Sequence, residues 1–251
     1  MIKIKFLKDY RYFKKDQIIE LDDSKTIVLV GDNGSGKSTI LDLIYIASLR
    51  NYLKNKNEEC AVYNLPKYVN KVMNYAKYNL FNKFDSICEI KFDNDYNFVY
   101  YNIDAFDITK DIDTRSSSCT AEDVAISVML RDMSRGEKSL NQFFDSIETY
   151  NKLHKTDKNI RLIIDEPDSN VSIKHQVVLG KYLNTPNPIG ILALHNNLCI
   201  KPFEKVYWVK PIFDELDKTC RIGTDMILTS GEEYVNYMIS EGNRIIKEMN
   251  L

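Results

Sequence analysis

The residues Gly31-Asp32-Asn33-Gly34-Ser35-Gly36-Lys37-Ser38-Thr39 fit G-x-x-x-x-G-K-[ST], the spacing of a phosphate-binding loop. Gly31, Gly34 and Gly36 let the backbone curl until successive N–H groups point at one spot. A helix opening at the end of the loop aims its free N–H groups and positive dipole end at the same spot. Lys37 can reach the β- and γ-phosphates of a nucleotide, and the Ser38 hydroxyl can ligate Mg²⁺. A second run, Arg161-Leu162-Ile163-Ile164-Asp165-Glu166-Pro167, sets two carboxylates at the end of an apolar strand. That strand end is where α/β sheets bind ligands. Asp165 can hold Mg²⁺ directly or through water. Glu166 can orient or deprotonate an attacking water. The apolar run Gly190-Ile191-Leu192-Ala193-Leu194 ends at His195. A single crossover helix between the two runs makes them parallel neighbours and brings His195 near Asp165 and Glu166. A contact from His195 to a γ-phosphate is the reading favoured over a purely structural histidine.

The positioning elements follow from the apolar spacing. Thr26-Ile27-Val28-Leu29-Val30 is a buried β-branched strand before the loop, and Ile40, Leu41, Leu43, Ile44 and Ala47 predict a helix over 38–52 after it. Ile2, Ile4 and Phe6 alternate on one strand face, and Gln17–Leu21 is a second short strand. Between them, Tyr10-Arg11-Tyr12-Phe13 is either a half-buried aromatic turn with a solvated arginine or a platform that stacks on a base through Arg11. Residues 53–85 read as helical with a loop near Asn55–Glu59; their Lys and Tyr form a solvated face or a partner surface. Ser86–Phe92 and Tyr96–Ile103, separated by Asp93-Asn94-Asp95, carry the signature of a β-hairpin. Residues 104–120 read as loop and Ala121–Arg131 as helix. Met133-Ser134-Arg135-Gly136-Glu137-Lys138-Ser139 opens a long amphipathic segment whose helix start can cap itself or hold an anion. Val171–Tyr182 is a helix and Lys205–Val209 a strand. Residues 212–228 stay unassigned. Ser230–Glu233 forms a capping box before a final helix.

The chain has 251 residues, enough to bury a core without staples. A net charge of −2 gives no global basicity for nucleic acid. Direct DNA contact would fall to the N-terminal Lys3, Lys5, Lys8, Arg11, Lys14 and Lys15. Cys60, Cys88, Cys119, Cys199 and Cys220 are scattered with no C-x-x-C pair, which fits free thiols in a cytoplasmic protein. No apolar run approaches the ~20 residues that span a bilayer, so no membrane insertion is expected.

The order of the four elements resembles the ATP-binding cassette (ABC) ATPase superfamily. Gly31–Thr39 is similar to its Walker A motif, Ser134–Ser139 to its signature motif and Ile163–Glu166 to its Walker B motif. His195 resembles its switch histidine, and Asp168 and Ser169 its D-loop. The Ser-Arg-Gly-Glu-Lys signature and the opening Tyr10–Leu21 segment are similar to soluble SMC and DNA-repair-like branches and to small bacterial anti-phage defence ATPases. The resemblance implies an α/β fold of P-loop type, a mixed sheet flanked by helices, with an antiparallel β part and a helical subdomain. It implies one domain over 1–251. Residues 1–50 and 155–251 form the nucleotide core, and 51–154 the helical and signature region with the hairpin at 86–103. It implies ATP and Mg²⁺ as cofactors and a head-to-tail homodimer in which Ser134, Arg135, Gly136 and Glu137 meet the partner subunit's nucleotide. Glu166, His195 and Lys37 are the expected catalytic residues, Ser38 and Asp165 the metal ligands. Gly31 to Thr39 and Arg11 complete the expected nucleotide set. Two departures stand out. No glutamine occurs between Ser38 and Ser134, where the family usually places its Q-loop glutamine. About 95 residues separate Walker A from the signature, too few for a long coiled-coil arm. The expected output is regulation of a separate effector such as a nuclease, toxin or DNA-processing subunit. A transporter's ATP-binding subunit and a slow-turnover scaffold are the alternatives.

Overall fold

The strand before the loop fixes the rest of the architecture. In a computed structural model, β3 (Ile27–Val30) is buried at every position. Only a strand covered on both faces tolerates four apolar residues in a row. The structure describes residues 1–58, 75–102, 144, 147, 150, 151, 154, 155, 157–168, 171–184, 189–214, 216 and 220–248.

The covering arises from two sheets and a set of helices. β1 (Ile2–Phe6), β2 (Ile18–Leu21) and β4 (Cys88–Phe92) form a three-stranded antiparallel sheet in the order β2-β1-β4. A six-stranded sheet runs β5-β6-β7-β3-β8-β9, built from β5 (Asn97–Asn102), β6 (Ile160–Asp165), β7 (Gly190–Ala193), β3, β8 (Val206–Phe213) and β9 (Arg221–Thr229). All its pairings are parallel except β8–β9. This is the mixed α/β architecture with an antiparallel part that the sequence implied.

α1 (Lys37–Asn55) is the helix after the loop, longer than the predicted 38–52. Thirteen of its nineteen residues are buried, so it behaves as a core helix rather than an amphipathic surface one. One hydrophobic cluster joins α1 to Ile2, Ile4 and Phe6 of β1 and to Ile27, Leu29, Ile163 and Ile191 on one face of the large sheet. The opposite face, with Val28, Val30, Leu162, Ile164 and Leu192, packs under α3 (Ile173–Leu183), α4 (Asn197–Ile200) and α5 (Gly231–Glu248). Alternate residues of β3 therefore serve two different cores. α2 (Tyr75–Lys83) and a short 3₁₀ turn at Phe84–Ser86 lie against α1.

The expected hairpin at 86–103 does not form. β4 pairs with β1 in the small sheet, whereas β5 pairs in parallel with β6 at the edge of the large one. The turn signal at Asp93-Asn94-Asp95 is local, but the pairing is decided by burial. Cys88 is buried in the core under the small sheet, while Phe98 and Tyr100 are buried between the large sheet and α1. β5 is thus an edge strand of the large sheet. Of the unassigned 212–228 region, residues 212–213 end β8 and 221–228 form most of β9. The capping box is present: Glu233 N donates to Ser230 Oγ at 3.1 Å, and Ser230 N to Glu233 Oε2 at 3.1 Å. Among the described residues, no helix is long and apolar enough to cross a membrane, and Cys88, Cys199 and Cys220 are free thiols.

Candidate functional site

The loop between β3 and α1 has the curled backbone that its glycines allow. Gly31 has φ +140° and Gly36 φ +117°. A Cβ on Gly31 would stand 2.5 Å from the Val209 carbonyl oxygen, and one on Gly36 would stand 2.9 Å from the Phe13 ring. Both positions therefore exclude a side chain by backbone conformation and by space. Ser35 N donates to the Asp32 carbonyl at 3.0 Å, closing the turn. Asp32 and Asn33 are exposed at its tip. Lys37 folds back over the loop and donates to the Gly31 and Asp32 carbonyls at 2.7 and 3.0 Å. It is 4% exposed. Burial lowers its pKa from 10.5 to about 8, against the opposing pull of Glu166, Asp165, Asp32 and Asp168. Ser35 Oγ is buried with no hydrogen-bond partner among the described residues. A buried cation and an orphaned hydroxyl at the N-terminus of α1 fit an anionic ligand.

The opposite wall comes from strand ends. Asp165 closes β6 and is 6% exposed; burial raises its pKa first of all. Its Oδ1 accepts from Ser38 Oγ at 3.3 Å and its Oδ2 from the Tyr100 hydroxyl at 3.2 Å. Glu166 follows with φ 54°, the left-handed region that non-glycine residues rarely occupy, so the chain stores strain at this position. Its backbone N–H donates to the Ala193 carbonyl at 3.1 Å, tying the two strand ends together. Glu166 Oε1 lies 2.8 Å from His195 Nε2. The parallel pairing of β6 with β7 puts His195 there, as the single-crossover reading expected. Asp168 is fully buried, and burial raises its pKa. Its Oδ2 accepts from the backbone N–H groups of His195 and Asn196 at 2.9 and 2.6 Å, while Oδ1 has no partner among the described residues. Asp168 thereby holds the segment that carries His195.

The two walls enclose a cleft of about 540 Å³ lined by Arg11, Tyr12, Phe13, the loop from Gly34 to Thr39, Glu166 and His195. Arg11 sits at the loop as the sequence allowed. Its Nη1 donates to Thr39 Oγ1 at 2.5 Å, and its guanidinium lies 5.7 Å from the Tyr10 ring centroid. Ser38 and Asp165 supply a hydroxyl and a carboxylate from facing elements. All-oxygen donors of this kind suit Mg²⁺, which keeps waters and takes phosphate oxygens. Among the described residues, no group of three or more His, Cys, Asp or Glu could hold a metal alone. Ser134, Arg135, Gly136, Glu137 and Ser169 lie outside the described residues.

Two residues escaped the sequence reading, Tyr100 on Asp165 and Arg221. Arg221 of β9 reaches back to the loop. Its Nη1 donates to the Gly34 carbonyl at 2.5 Å, and Nη2 donates to the Ser35 carbonyl and to Thr224 Oγ1. Its guanidinium stacks 3.8 Å from the Tyr12 ring centroid. A β-branched run at 221–229 was the available signal, but nothing in it points to the loop.

The family described as AAA domain matches residues 6–177. The chain belongs to that family. The ABC-type ATPase superfamily read from the order of the motifs stands, and with it the P-loop ATPase fold of this AAA domain. No curated protein matches the chain. Among solved structures, the SMC head domain from Thermotoga maritima is 13% identical, with a TM-score of 0.49 over 90% of this chain and 97% of that one. An SMC head bound to the C-winged helix domain of ScpA is 14% identical, with a TM-score of 0.49 over 94% and 98%. A dimeric ATP-binding cassette in a post-hydrolysis state, bound to ADP and Pi, is 11% identical, with a TM-score of 0.36 over 83% and 94%.

Proposed function

We propose that this AAA domain binds and hydrolyses MgATP at the interface of a head-to-tail homodimer, and that the open and closed states regulate a separate protein. The observation that carries the reading is the Glu166–His195 contact of 2.8 Å, facing Lys37 and Ser38 across one cleft. The loop cradles the phosphates, and Lys37 meets their charge. Ser38 and Asp165 would hold Mg²⁺, which would supply Lewis-acid charge stabilisation at the phosphate oxygens. Glu166 accepts the proton of the attacking water. His195 Nε2 holds the Glu166 carboxylate in place and donates to the γ-phosphate when Glu166 turns to water. Ser134 and Gly136 would complete the partner subunit's site, so ATP joins the two copies.

A partner-directed output is supported by exposed apolar side chains on the elements that the motifs leave free. Tyr237, Ile239, Ile245 and Ile246 of α5 are exposed, as are Phe213 and Leu228 of the β8–β9 pair. DNA repair and anti-phage defence are the settings proposed for that effector. Direct DNA contact gains little support. Lys3 pairs with Glu20 at 2.6 Å and Lys14 with Asp9 at 3.3 Å, so part of the basic N-terminal charge is met within the chain.

Light scattering tests the reading. Glu166→Gln with MgATP is expected to double in mass, and Ser134→Arg added to it to stay monomeric. ATP binding with no change of mass in Glu166→Gln would sink the homodimer and leave only the phosphate site.

A further inference from the structure

Tyr100 is 2% exposed in the middle of β5, and its hydroxyl faces two carboxylates. It donates to Asp165 Oδ2 at 3.2 Å, and the second carboxylate near it is Asp42 on α1. A phenol has one proton to give. Asp42 has another source of charge: Lys77 Nζ lies 2.9 Å from its Oδ1, with the two side chains 8% and 16% exposed. The same ammonium stands 4.5 Å from the Tyr100 ring centroid. The ring itself is fixed by an edge contact to Tyr45 at 5.2 Å. Lys77 belongs to α2, outside the strands and loops of the phosphate site.

This cluster has a definite logic. A buried carboxylate without a donor or a counter-charge is costly, so Asp42 competes for whatever donor is near. With Lys77 in place the charge of Asp42 is met, though its Oδ1 makes no hydrogen bond among the described residues, and the Tyr100 proton goes to Asp165. Pinned at Oδ2, Asp165 turns Oδ1 towards Ser38, where the oxygens of a metal site must converge.

We propose that Tyr100 is the positioning residue that presents the Asp165 carboxylate to Mg²⁺, and that Lys77, through Asp42, decides which carboxylate the Tyr100 hydroxyl serves. The proposal rests on the reading of Asp165 as a metal ligand. It gives α2 control over metal binding: when α2 moves Lys77 away, Asp42 captures the hydroxyl and Asp165 is released. Loss of the hydroxyl leaves the aromatic packing intact.

The test is the Mg²⁺ dependence of binding of a fluorescent ATP analogue to the full chain. Tyr100→Phe is expected to bind the analogue in EDTA as the wild type does, and to need about tenfold more Mg²⁺ for the half-maximal metal effect, the scale of one hydrogen bond to a charged group. Lys77→Met should raise the requirement similarly, and Lys77→Met with Asp42→Asn should restore it. A packing role for Lys77 would not be rescued by a second change. If Asp165→Asn shifts the Mg²⁺ requirement and Tyr100→Phe does not, the proposal is wrong and the metal reading survives. If Asp165→Asn itself shifts nothing, the metal reading fails and takes the proposal with it. An unrescued Lys77→Met removes the role of α2.

Discussion

The two walls of the cleft are built by different rules. The phosphate-loop wall is nine consecutive residues whose polar groups largely satisfy one another: Ser35 N–H on the Asp32 carbonyl, Lys37 on the Gly31 and Asp32 carbonyls. The strand-end wall is assembled from separate segments. Glu166 meets His195 across 29 positions, and Asp168 holds the same histidine's backbone across 27. The loop places its positive-φ turns on Gly31, Gly34 and Gly36 and leaves the Ser35 hydroxyl for a ligand, whereas the strand ends hold the non-glycine Glu166 at φ 54° and a buried Asp168 oxygen without a partner among the described residues. Binding can be encoded locally. The arrangement that acts on the bound phosphate depends on the whole sheet and carries the strain.

Substitutions on the two walls should therefore separate binding from turnover. Glu166→Gln keeps the shape of the strand end but removes the base. Hydrolysis is expected to fall about 10³-fold, with ATP affinity unchanged by calorimetry; equal losses in both would erase the distinction between the walls. Asp168→Ala strips two backbone N–H groups of their acceptor in the interior. It should cost about 3 kcal/mol of stability in a denaturant titration and slow turnover through His195. Arg221→Ala tests whether the loop wall is as self-sufficient as it looks, because Arg221 holds the Gly34 and Ser35 carbonyls from β9. ATP affinity should drop about fivefold, roughly one surface-accessible hydrogen-bonding group, with no separate effect on turnover.

The smallest effect is a proton. Lys37 has a folded pKa of about 8 against the ordinary 10.5. The unfolded chain binds the extra proton between those values, so the ligand-free protein gains stability as pH rises through that window. ATP needs the ammonium charged and restores the proton. Calorimetry at pH 8 in buffers of different ionisation enthalpy should show uptake of about half a proton per ATP, and affinity should fall above pH 8. No uptake would mean that Lys37 is charged in both states.

The same division explains what the sequence made legible. Gly31–Thr39, the acidic end of β6 and the histidine beyond β7 are readable because each lies within a few residues, with one crossover to link them. β5 was not readable as a core strand. Alternation gives a strand its faces, but nothing within Asn97–Asn102 says whether its neighbour is β4 or β6. Arg221 and Tyr100 were missed for a related reason. An arginine and a tyrosine inside β-rich runs look like any other strand residues, and their partners lie 187 and 65 positions away.

α1 is buried over most of its length, with the small sheet over it and the large sheet under it, and only its last turn reaches solvent. In mechanical terms it is the axle of the molecule and not its lever. A helix held between two cores cannot roll or slide without opening both, so the amides of its buried turns should be among the last to exchange with deuterium. Whatever moves when nucleotide arrives must move around it.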